Sequence, residues 1–134
     1  NKNNFKLNFP NNYFHKLMSN NVTQYFKNKK FLEKQLNEMI RVTESKIVLT
    51  GILNEKYKKK FEKKQMKNEN LSLKEYKNKF KNYPKLFLKQ KSFNFLSKNP
   101  KVKKYVFKQM PRNFLYPECG IFSVIIDLSK KKTF

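Results

Sequence analysis

The sequence predicts an α+β domain: two N-terminal helices packed on a small mixed or antiparallel sheet, with a lysine-rich helical insertion. Three observations carry that prediction. A helical apolar stripe runs from Phe14 to Ile40, a strand-like run follows at Ser45–Leu53, and two further β-rich runs close the chain after a stretch dense in lysine and aromatic residues. At 134 residues, the length is that of one domain, 1–134.

Asn1 to Phe9 is polar and asparagine-rich, and Phe5, Leu7 and Phe9 alternate within it, so residues 1–10 read as an extended arm. Pro10 suits the first turn of a helix. Phe14, Met18, Val22 and Phe26 then recur four apart, and Leu32, Leu36, Met39 and Ile40 continue the stripe. Ser19-Asn20-Asn21 and Asn28-Lys29-Lys30 are poor helix material, so the spacing predicts two helices joined near Asn28, the second over 30–42. Ile47, Val48, Leu49 and Ile52 are β-favouring types in a short run bounded by polar residues, which predicts a buried strand. Gly51 inside that run marks a bulge or the close approach of another backbone.

Asn54-Glu55 opens another helix, with Tyr57 and Phe61 four apart among lysines. Ser72-Leu73-Lys74-Glu75 has the form of a capping box and predicts a helix bearing Leu73, Tyr76, Phe80 and Tyr83 that stops before Pro84. Together these form a basic helical insertion over 55–101. Lys85–Leu88 and Ser92–Leu96 fit a short strand or a helix end equally well. Lys101–Phe107 is β-rich, Pro111–Cys119 reads as a turn or crossing loop, and Gly120 introduces a final strand over 121–129. Residues 130–134 form a basic tail.

The formal charge of +23, from 32 Lys+Arg against 9 Asp+Glu, opposes a compact state unless a polyanion neutralises it, and nucleic acid is the implied partner. Arg41 and Arg112 are the only arginines, so the charge suits diffuse phosphate contact better than bidentate base reading. The residues expected to meet RNA are Lys27, Lys29, Lys30, Lys34, Lys56, Lys58, Lys59, Lys60, Lys63, Lys64, Lys103, Lys104, Lys130, Lys131 and Lys132. Aromatics interleaved among the lysines of 55–91 can stack on unpaired bases or pack on the domain.

Catalytic signatures are absent from the sequence pattern. His15 is the only histidine, Glu33 and Glu38 are five apart, and Gly51 and Gly120 are too distant to form a phosphate-cradling loop. Cys119 is alone, which excludes an intramolecular disulfide and a cysteine-built metal site. The expectation is a non-enzymatic protein with no catalytic residue, metal or cofactor. No apolar run approaches the length of a membrane-spanning helix. There is no alanine and no tryptophan, while lysine, asparagine and phenylalanine dominate. AT-rich codons produce that bias, which points to an organellar genome, where translation and respiration dominate the surviving proteins.

Lys46-Ile47-Val48-Leu49-Thr50-Gly51-Ile52-Leu53-Asn54 resembles the valine-serine-glycine-arginine-leucine strand of the C-terminal domain of small-subunit ribosomal protein three, with Ile52 in place of the arginine. Val22 to Ile40 is similar to that family's helix pair, and Gly120-Ile121-Phe122-Ser123-Val124-Ile125-Ile126 to its last strand. The likeness covers roughly 11–129. It implies a structural rRNA-binding protein in the head of an organellar small ribosomal subunit, located in the mitochondrial matrix or, alternatively, in a plastid-type organelle. The implied partners are rRNA, mRNA at the channel that admits it, neighbouring ribosomal proteins and a separately encoded N-terminal half. The family's mRNA-facing positive residues fall at Glu33, Lys34 and Asn37, where only Lys34 is charged to match. Two other readings are a lineage-specific organellar ribosomal protein of either subunit and a small RNA-processing nuclease. The nuclease would need Glu55, Glu62, Glu69 or Asp127 to gather around magnesium.

Overall fold

The computed structural model describes residues 6–79, 81, 85–109 and 120–129. Within them the chain forms β1 (Phe14–Asn20), α1 (Lys29–Val42), β2 (Thr43–Ile52), α2 (Lys58–Asn68), α3 (Leu73–Lys79), β3 (Val102–Gln109) and β4 (Phe122–Leu128). Short 3-10 segments lie at Thr23–Tyr25, Glu55–Tyr57 and Gln90–Lys98. The α+β class and the mixed sheet are as the sequence predicts, in the order β1-β2-β4-β3. β1 is parallel to β2, and α1 supplies the crossover that parallel neighbours require. β4 is antiparallel to both β2 and β3, so β1, β2 and β3 all run the same way.

The first of the two expected helices is replaced by β1. Its supposed stripe is not buried: Met18 is 70% exposed and Val22 44%. Pairing with β2, from Phe14 opposite Thr43 to Asn20 opposite Thr50, decides the conformation instead. A partner thirty residues away supplies the hydrogen bonds, so local spacing does not reveal it.

α1 forms as expected. The Asn28 side chain caps it by accepting from the Phe31 amide at 2.8 Å, and Leu32, Leu36, Met39 and Ile40 lie along its buried face. That face and the Gln90–Lys98 segment, through Phe93 and Leu96, cover one side of the sheet, against Ile47, Leu49, Ile52, Phe122, Val124, Ile126 and Leu128. Each fully buried leucine or isoleucine here contributes about 1.5–3 kcal/mol. A smaller cluster of Leu53, Phe61, Phe87 and Ile121 anchors α2 beyond the sheet. The capping box before α3 is present: the Glu75 amide donates to Ser72 Oγ and the Ser72 amide to Glu75 Oε1, both at 3.1 Å. The latter bond lowers the Glu75 carboxyl pKa. Phe80 and Tyr83 lie outside the described residues, as do the crossing loop at 111–119 and the tail at 130–134.

A polar clasp fastens the N-terminal arm to α1. Glu38 accepts from Arg41 Nε at 3.0 Å and from the Leu7 amide at 2.6 Å, while Arg41 also reaches the Leu7 carbonyl at 3.0 Å and Asn11 Oδ1 at 2.9 Å. Lys101 closes the C-terminus of α1, donating to the Ile40 carbonyl at 2.7 Å and the Arg41 carbonyl at 3.2 Å. Burial lowers the Lys101 pKa.

Two outcomes test this framework. Gly51 has φ +70°, and a Cβ there would sit 1.6 Å from Asn21 Oδ1. Gly51→Ala is expected to cost at least about 1–3 kcal/mol from the left-handed backbone alone, read as a lowered denaturation midpoint at fixed salt. The Glu38 carboxyl is held below its usual pKa chiefly by the Arg41 hydrogen bond. Its contribution is therefore complete above the unfolded value of about 4.3 and is lost as pH falls through the lower folded value. The melting temperature should drop from about pH 5 downward, and Glu38→Gln should flatten that dependence.

Candidate functional site

Asn20 pairs with Thr50, while Ile52 and Gln109 both pair with Phe122, so the carboxyl ends of β1, β2 and β3 are nearly level. In open α/β sheets, ligands collect outside such ends. The chain leaves β1 here towards α1, and leaves β2 here into Glu55–Tyr57 and α2.

That topology sorts the lysines. Lys27, Lys29 and Lys30 follow the end of β1, with Lys34 a turn further into α1. Lys56, Lys58, Lys59 and Lys60 follow the end of β2, with Lys63 and Lys64 further along α2. Neither α1 nor α2 has an acidic residue in its first turn, so lysines stand where the helix dipole is already positive. An anion at this edge would relieve both. Tyr25, 69% exposed, lies in the same loop as Lys27. Lys103 and Lys104 are not part of this group. Lys104 lies opposite Asp127, which lies opposite Lys46 near the start of β2, and the two ammonium groups are 3.9 and 3.5 Å from the Asp127 carboxylate. Lys130, Lys131 and Lys132 lie outside the described residues.

A cavity of about 630 Å³ opens between the end of β2 and the end of β3, lined among others by Glu55, Lys56, Tyr57, Lys89, Gln90 and Gln109. Its walls are fixed by backbone. The Glu55 amide donates to the Leu88 carbonyl at 3.0 Å, the Leu88 amide to the Leu53 carbonyl at 2.8 Å, and the Lys56 amide to Asn54 Oδ1 at 3.0 Å. Tyr57 is held against Gly120, where a Cβ would meet the ring at 2.5 Å, and Lys56 Nζ lies 5.7 Å from the ring centroid. Glu55 Oε2 is shut off from solvent and accepts no hydrogen bond. An unmet buried acceptor of this kind costs about 1–3 kcal/mol. In the sequence Glu55 reads as a helix-start residue and a candidate nuclease acid. Its place directly after a strand was the available signal.

No family profile and no curated protein matches the chain. Among solved structures, it is similar to a SAM-dependent methyltransferase from Methanosarcina mazei, with TM-score 0.60 and 12% identity over 93% of this chain. The matched part is 63% of that protein's length. The shared feature is the fold.

This finding overturns the expected membership of the ribosomal protein three family, and with it the role in an organellar small subunit. The motifs behind that resemblance have a local cause. Gly51 is required where Asn21 crowds a left-handed strand end, and Gly120 where Tyr57 crowds another. Strand ends of this geometry select glycine whatever their ancestry. The lineage-specific ribosomal alternative is not favoured either. The nuclease reading has no support either, since among the described residues no three of His, Cys, Asp and Glu gather to hold a metal. The expectation of a non-enzymatic protein is overturned as well, because the fold is one an enzyme uses. That expectation rested on missing acid–base pairs, and chemistry that proceeds by positioning leaves no such pairs in a sequence. Among the described residues no helix is long and apolar enough to cross a membrane.

Proposed function

We propose that this chain binds RNA through the sugar-phosphate backbone, along the edge where β1, β2 and β3 end, on a scaffold of methyltransferase type. The observation that carries the reading is the gathering of Lys27, Lys29, Lys30, Lys56, Lys58, Lys59 and Lys60 at one edge of a chain of formal charge +23. Ammonium groups act as point charges towards phosphate and release counterions on binding. Tyr25 offers an exposed ring for an unpaired base.

The test is the salt dependence of binding to a labelled oligouridylate, followed by fluorescence anisotropy. Replacing Lys58, Lys59 and Lys63 together by glutamine should lower the slope of log K against log salt by about 2 and weaken binding at least tenfold at low salt. Replacing Lys103 and Lys104 should change the slope little. Equal effects from the two sets would remove the edge as the interface.

A second reading, methyl transfer, is favoured by the shared fold and brings S-adenosylmethionine with it. The residues at the adjacent parallel strand ends do not fit that group. The space above Gly51, where a backbone without Cβ could admit a ligand, is filled by the Asn21 side chain, and Thr50 Oγ1 is tied to Asn20 Oδ1. The sequence's other glycine, Gly120, faces Tyr57. Titration of the chain with S-adenosylmethionine should give no saturable heat, and saturable binding would restore the second reading.

A further inference from the structure

We propose that the chain prefers single-stranded to duplex RNA, because Val22 and Tyr25 form a platform for one unpaired base beside lysines that hold its phosphates. The proposal deepens the RNA-binding reading above and rests on it. Val22 opens the 3-10 turn Thr23–Tyr25, and in such a turn residues three apart lie one above the other. Val22 and Tyr25 therefore share a face. It is the outward one: Val22 is 44% exposed and Tyr25 69%, whereas Thr23 and Gln24 between them are buried. Backbone bonds hold the turn. The Asn21 amide donates to the Thr50 carbonyl at 3.0 Å, the Tyr25 amide to the Val22 carbonyl at 3.0 Å, and the Phe26 amide to the Thr23 carbonyl at 3.1 Å. The Gln24 carbonyl accepts from the Leu86 amide at 2.8 Å, which ties the turn to a distant part of the chain. A base meets a backbone already in place.

An aromatic ring beside an aliphatic side chain offers a base a π-face and apolar contact, and stacking of this kind tolerates every base. Charge complements the platform. Lys27, Lys29 and Lys30 are exposed and follow Tyr25 closely in the chain, and the Phe26 ring, edge-on to Phe31 at 5.2 Å, ties that stretch to α1. A nucleotide stacked on Tyr25 therefore has ammonium groups beside its phosphates. In a duplex both faces of each internal base are covered by neighbouring bases, so only the phosphate contacts remain. The other exposed rings are placed differently. Phe9 and Tyr13 pack on each other and on Phe14 with centroids 4.8 to 5.1 Å apart, and they precede β1, at the edge away from the lysine-rich loops. Among the described residues no ring packs on Tyr25. The outer face of the sheet is apolar in the row Met18, Val48, Ile125 and Val106, but it has no ring there on which a base could stack.

The experiment uses a short end-labelled oligouridylate with one central 2-aminopurine, a fluorescent purine that stacks more strongly than uracil, and the same oligomer paired with its full complement. On phosphate charge alone the duplex is the better ligand, since its charge density is higher. Wild-type chain should instead bind the single strand about tenfold more tightly by anisotropy at one salt concentration, the weight of one stacked base. It should also quench the 2-aminopurine of the single strand as the ring covers it. Tyr25→Leu should bind the single strand about tenfold more weakly, keep the slope of log K against log salt, and lose the quenching. Tyr25→Phe should behave as wild type, because stacking uses the ring and not the hydroxyl. Equal or tighter binding of the duplex by wild type overturns the platform and leaves backbone binding standing, as does quenching that Tyr25→Leu retains. If neither ligand binds in a salt-dependent way, backbone binding falls first and the platform with it. Should Tyr25→Leu fail to fold, the wild-type comparison decides alone, and either duplex preference or an unquenched single strand overturns the platform.

Discussion

The constraint on which the structure depends is the enclosure of β2. It is bonded along both edges, to β1 on one side and β4 on the other, and its inward residues Ile47, Leu49 and Ile52 are sealed by α1. A strand enclosed in this way has one tolerable register, because a slip of one residue would turn Lys46 and Val48 inward. Fixing β2 fixes the direction of β1 and, through β4, of β3. The three parallel ends then fall on one edge, and both the lysine-rich loops and the cavity leave from there. The location of the site follows from hydrogen-bond geometry before any charge is considered.

Charge is distributed by the same logic. Four of the nine acidic residues are held in internal ties: Glu38 on Arg41 and the arm, Asp127 between Lys46 and Lys104, Glu69 on Lys79, and Glu75 on its own helix start. Arg41 is bound up in the same clasp. The start of the sheet is thereby compensated, while the carboxyl edge collects lysines with few acids. Salt in solution screens such repulsion well only beyond about 10 Å at moderate ionic strength, whereas a phosphate chain laid along the edge removes it at the source.

Much of this was legible in the sequence, and the remainder fails for identifiable reasons. β2, α1, β3 and β4 were read from period and composition, because each buries one face and its pattern records that burial. The Ser72–Glu75 box was read from four residues, since its bonds are local. β1 was read as a helix because Phe14, Met18, Val22 and Phe26 happen to be four apart, although Met18 and Val22 end up exposed and the segment owes its form to β2. The lysines at the carboxyl edge stand out in the sequence, yet their separation from Lys103 and Lys104 depends on the strand directions. In the sequence Glu55 is a helix-start residue and one of four candidate nuclease acids, and that one of its oxygens lacks a donor emerges only from its surroundings.

Affinity and selectivity are therefore carried by different groups. Lysine ammoniums on flexible stems hold phosphate without regard to sequence, and with Arg41 committed internally the described part of the chain has no free guanidinium fork to read a base edge. Any preference among sequences has to come from a rigid acceptor or donor set. At the end of β2 the Glu55 backbone is held by the Leu88 carbonyl and the Tyr57 ring lies against Gly120, so the sheet sets where both residues stand. The strand that organises the fold thus also delivers a carboxylate with an unfilled hydrogen-bonding demand to the edge where the positive charge accumulates.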